Sequence, residues 1–76
     1  MGRFKCKTTA DEKIVDAETP KEAVDVFMKE MTGGRCSYKL RKVLGFQIKN
    51  DPDAAITVTD MSTEKKSYFQ FTMFIG

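Results

Sequence analysis

The chain has no histidine and no tryptophan, and only two cysteines and two prolines in 76 residues. Histidine is the usual general base near neutral pH and a common metal ligand, so its absence removes much acid–base and metal chemistry at once. Cys6 and Cys36 are too far apart for a C-x-x-C pair, and with no imidazole to join them they cannot complete a zinc site. We read both as reduced, part-buried thiols that pack like small apolar residues, in preference to a disulfide. The phosphate-binding pattern G-x-x-x-x-G-K-[ST] and the nucleophile pattern G-x-S-x-G are also missing. Asp16 with Glu18, and Asp51 with Asp53, fall at a strand end and a turn, where solvated carboxylates are common. The expectation is a non-enzymatic protein with no cofactor and no metal.

Long apolar runs are absent as well. None exceeds three residues, far short of a bilayer span. Arg3, Lys5 and Lys7 interrupt the first residues, and no apolar stretch follows that would make a secretory signal. Met1-Gly2-Arg3-Phe4-Lys5-Cys6 lacks the Ser or Thr of a myristoylation motif. No membrane partner is expected, and the cytoplasm is the default compartment.

What is present suits a folded domain: 41% hydrophobic and 32% charged residues. Residues 1–76 make a single domain. A chain of this size buries only about 60% of its unfolded surface, which leaves no room for a deep enclosed site. The net charge of +2 hides a segregated pattern. Residues 1–10 bring Arg3, Lys5 and Lys7 without an acid, and residues 11–31 hold seven acids against three lysines. Residues 32–49 hold Arg35, Lys39, Arg41, Lys42 and Lys49 with no acid, and residues 50–64 turn acidic again. Such blocks either pair internally or create surfaces of opposite sign.

The strongest local signature is Thr19-Pro20-Lys21-Glu22. Thr19 suits an N-cap, Pro20 the first helical position, and Glu22 a capping box that reaches back to the Thr19 N–H. The spacing predicts a helix from Thr19 to about Met31, stopped by Gly33-Gly34, with Ala23, Val24, Val26, Phe27, Met28 and Met31 on its apolar arc. Before it, residues 3–8 and 13–17 read as two strands of a hairpin. Residues 37–49 fit two templates. Leu40, Val43 and Leu44 have helical spacing, whereas Tyr38, Leu40, Leu44, Phe46 and Ile48 share one strand parity. The larger set favours a long bent strand with a bulge near Gly45.

Asn50-Asp51-Pro52-Asp53 reads as a turn, residues 55–59 as a strand, and residues 60–66 as a polar loop. The last nine residues hold four of the eight aromatics. Phe69, Phe71, Met73 and Ile75 share one face there, and Tyr68, Gln70, Thr72 and Phe74 share the other. The order is ββαβββ. It predicts an α+β fold, an antiparallel meander with one helix packed on one sheet face.

Placing the helix on one face leaves basic residues and spare rings on the opposite one. Tyr68, Gln70, Phe74, Arg3, Lys5, Lys39 and Arg41 are the candidate partner-binding residues. Rings beyond the needs of a small core are what a protein interface buries. The favoured reading is a binding module that meets a protein partner, or a second copy as a homodimer, through its sheet face or a strand edge. The alternative is single-stranded RNA or DNA, with phosphates neutralised by the bases and nucleobases stacked on the rings. Sheet lysines also serve simply to keep a face soluble, and no RNP-type motif, KH loop or zinc finger supports the nucleic-acid reading.

Overall fold

A computed structural model describes residues 2–74 of the protein. Strands β1 (Gly2–Lys7) and β2 (Glu12–Ala17) form a hairpin, and helix α1 (Pro20–Thr32) follows. Then come β3 (Ser37–Val43), two 3₁₀ turns (Gly45–Asn50 and Pro52–Ala54), β4 (Ala55–Asp60) and β5 (Lys66–Phe74). The α+β fold predicted from the residue pattern is present: a five-stranded, wholly antiparallel sheet with one helix.

Local chemistry sets the element ends. In the first hairpin the Thr8 N–H donates to the Asp11 carbonyl at 2.8 Å, and the Thr8 hydroxyl accepts from the N–H groups of Ala10 and Asp11. Thr19 is extended and its Oγ1 accepts from the Glu22 N–H at 3.2 Å, while Gly33 closes the helix at φ 66°. The Glu22 carboxylate does reach back, but it accepts from the Glu18 N–H at 3.1 Å rather than from that of Thr19.

Ala23, Val24, Phe27 and Met28 are the buried face of α1, and the helix rests on β1, β2 and β4. They join Phe4, Cys6, Val15, Ala17, Ile56, Val58 and Phe69 in one core cluster. Val26, expected on the same arc, is 37% exposed. The adjacent pairs Ala23-Val24 and Phe27-Met28 already fill the stripe, and Val26 falls outside it. The parity expected for the last strand holds. Phe69 is core, Phe71 packs against it, and Met73 follows on that side with 45% exposure. Ile75, expected on this face too, lies outside the described residues.

Two further expectations are corrected. The strand order is β2-β1-β4-β5-β3, not a sequential meander. The link between β2 and β3 carries the chain from one edge of the sheet to the other through α1, so β3 pairs with β5 and never meets its successor β4. The long bent strand over 37–49 also stops short, at Val43. Gln47 turns the chain there: its backbone N–H donates to the Leu44 carbonyl at 2.9 Å, and its side-chain Oε1 accepts from the Leu44 N–H at 2.7 Å. Both 3₁₀ turns pack on β5, over the face opposite the helix. Val43 and Ala55 are buried on that face.

Candidate functional site

The face away from α1 is built from alternate residues of every strand. The register places Arg3, Lys5 and Lys7 of β1 beside Asp16, Ile14 and Glu12 of β2. Across the sheet, Tyr68, Gln70, Thr72 and Phe74 of β5 stand beside Val43, Arg41, Lys39 and Ser37 of β3. Thr57 and Thr59 lie between the halves.

The seven residues singled out from the sequence therefore fall into two groups. Arg3 and Lys5 lie on the β1–β2 half and are paired with Asp16 at 3.5 Å and Glu12 at 3.5 Å. Lys39, Arg41, Tyr68, Gln70 and Phe74 lie on the β3–β5 half. Lys39 Nζ is 5.8 Å from the centre of the Phe74 ring, and Arg41 Nη2 donates to Gln70 Oε1 at 2.7 Å. Exposed contacts of this kind orient side chains more than they stabilise a fold. Tyr68 and Phe74 do not share one open platform. Gln70 and Thr72 separate them, and Tyr68 is half-buried against Gly45 while Phe74 is 45% exposed.

The charge blocks resolve unevenly. Those acids of β2 serve β1, Lys13 reaches Glu30 at 3.3 Å, and Lys21 reaches Asp25 at 3.8 Å. Lys39, Arg41 and Lys42 of β3 meet no carboxylate among the described residues. The surplus positive charge of the sheet thus includes a run along one edge strand. Mid-face, depressions of about 390 and 400 Å³ share Lys7, Thr57 and Lys66, and Glu12 and Glu64 also line the second. Tyr68, Ile48 and Pro52 wall the first of these.

Leu44 and Phe46 were missed as surface residues, because strand parity assigned them to a buried face. They are 62% and 67% exposed. The signal was there in the broken alternation at Lys42-Val43, with Gly45 two residues after Val43. Together with Met73 and Phe74 they bracket β3: the register sets Ser37 and Tyr38 opposite Phe74 and Met73, while Leu44 follows the strand's other end.

Titratable groups with displaced pKa values act structurally. Burial pushes the Cys6 thiol up to about 11, and the thiol donates to the Ala23 carbonyl at 3.7 Å. Cys36 is half-buried, and both cysteines are free thiols. Tyr38 is pushed up to about 12, first by burial and then by its hydrogen bond to the Asp25 carboxylate, with Oη donating to Oδ1 at 2.9 Å. That bond ties edge strand β3 to the helix. The Ser62 hydroxyl and N–H, at 2.8 and 2.9 Å, hold Asp60 below the ordinary carboxylate range. Among the described residues no group of three or more His, Cys, Asp or Glu is placed to hold a metal ion. Likewise, no helix among them is long and apolar enough to cross a membrane.

No protein-family model, curated protein or solved structure matches the chain.

Proposed function

We propose that this domain is a non-catalytic binding module that docks another protein along the β3 side of its sheet. One observation carries the reading. Among the described residues, four of the seven exposed large apolar side chains lie at the two ends of one edge strand: Leu44 and Phe46 just after β3, and Met73 and Phe74 on β5 opposite its start. Apolar side chains exposed at both ends of a strand with an open backbone edge fit an interface that combines strand pairing with side-chain anchors. The basic residues between them keep such an edge soluble until a partner covers it.

Site-specific photo-crosslinking in cells that express the protein tests this. A photoreactive residue at Leu44 or Phe46 is expected to yield a discrete protein adduct, resistant to nuclease, and one at Ile14 on the opposite edge is not. Equal labelling at all three positions, or none at 44 and 46, would overturn the reading.

A second reading has its own observation. Lys7 and Lys66 line the mid-face depression of about 390 Å³ with Tyr68 and have no ion-pair partner among the described residues. That geometry suits a phosphate with a base against the ring, as in single-stranded RNA or DNA. Nuclease-sensitive adducts from a photoreactive residue at Lys66 would favour it.

A further inference from the structure

Resting on the protein-docking reading, we infer that the partner adds to β3 as a sixth strand, with acidic and apolar residues alternating along it. Three observations converge. First, β3 is the terminal strand of the order β2-β1-β4-β5-β3, so one row of its backbone groups has no strand beside it. Second, its two faces differ. Lys39 and Arg41 point to the face away from the helix, and Tyr38 and Leu40 point to the helix side, where they pack partly buried against the core. Third, a cleft of about 370 Å³ opens on the helix side, with Leu40, Lys42 and Phe69 on the sheet and Thr19, Pro20 and Lys21 above them. It exists because α1 rests on β1, β2 and β4 and leaves the β3 margin thinly covered.

A strand laid beside β3 alternates its side chains in step with these faces. Acids at two alternate positions would sit next to Lys39 and Arg41, and the residue between them would lie beside Leu40 at the rim of the cleft. The recognised pattern is acid–apolar–acid, centred on Leu40. Main-chain hydrogen bonds supply general affinity in this mode, and the alternating side chains supply selectivity.

A second copy of the chain fits less well. Isologous pairing of β3 with itself about Leu40 sets Lys39 against Arg41 on both sides of the axis, and like charges directly opposite are unfavourable. The other free edge, β2, has its acids held by Arg3 and Lys5, and its union with β3 of another copy is head-to-tail, building rings or filaments instead of a two-fold pair.

The probe is a short blocked peptide of alternating glutamate and valine. One control has lysine for glutamate, and another keeps the composition with the glutamates clustered. Binding is followed by backbone amide shifts. The alternating acidic peptide is expected to bind best, to move the amides of Ser37–Leu44 and their β5 partners, and to weaken as salt rises. In the Lys39→Glu, Arg41→Glu variant, with its fold checked by circular dichroism, affinity should fall about tenfold and the lysine peptide should gain. Preference for neither charge, or shifts away from β3, would overturn the inference. So would concentration-dependent polymers whose shifts fall on β2 and β3 together. If the crosslink at Leu44 or Phe46 finds a protein while the peptides fail, the sixth-strand inference falls and the docking reading stands. If both fail, the docking reading falls.

Discussion

Gly45 lies against the ring of Tyr68 so closely that a Cβ at residue 45 would stand 3.1 Å from Cε2 and 3.3 Å from Cζ. This contact lets residues 44–54 fold flat over β5 instead of continuing β3. It also explains why one of two rings expected on an open face is half covered.

Gly45→Val should lift that segment. Overpacking of this kind costs about 1–3 kcal/mol, read as a lower urea midpoint. In a Tyr38→Phe background Tyr68 is the single fluorophore, since the chain has two tyrosines and no tryptophan. Its quenching by iodide should rise in the Gly45→Val variant. An unchanged midpoint and unchanged quenching would mean the segment does not pack on the ring.

Features that depend on near neighbours were legible in the sequence. The helix start needs only Thr19, Pro20 and Glu22, its stop only Gly33, and the faces of β5 follow from parity alone. Features that depend on distant pairing were not. Nothing near β1 announces that it will pair with β4, or near β3 that it will pair with β5. Leu44 and Phe46 match a buried strand by parity, yet Gln47 diverts the backbone into a 3₁₀ turn and leaves both exposed. The candidate surface was therefore half legible. The basic and aromatic residues of β3 and β5 came from alternation, whereas the apolar residues at the end of β3 depended on where that strand stops.

Thr19→Ala should cost about 1 kcal/mol, because the Glu22 N–H loses its acceptor at 3.2 Å. Chemical denaturation of the variant beside wild type measures it. No shift in midpoint would show that the cap is idle, while Thr19→Ser or Thr19→Asp should keep most of the stability.

Alkaline pH should loosen the tie between β3 and α1. The Tyr38 phenol ionises near 12 when folded, against an ordinary value of 10. Below pH 10 both folded and unfolded chains hold the proton, and the stabilisation is complete. Between about pH 10 and 12 the unfolded chain loses its proton first, so stability falls as pH rises. The melting temperature of wild type should drop more steeply across this window than that of Tyr38→Phe. Parallel profiles would contradict the assignment.

Glu64 closes the β4–β5 turn at φ 62°, a left-handed conformation that L residues with a side chain adopt at a cost. Its N–H donates to the Asp60 carbonyl at 2.7 Å, so the turn holds it there. Glu64→Gly should raise stability by about 0.5–1 kcal/mol, net of the extra backbone freedom glycine gives the unfolded chain. A loss of stability would show that the glutamate side chain has a role the geometry does not reveal.

Native-state hydrogen exchange along Ser37–Val43 tests the open β3 edge most directly. In a monomeric sample every second amide of this strand should be protected by β5, and the amides between them should exchange at rates close to those of an unstructured chain. Adding a captured partner, or the alternating acidic peptide, should slow the fast set and leave the slow set unchanged. Uniform protection of all these amides in the isolated monomer would mean that the edge is already covered, and the account would be wrong.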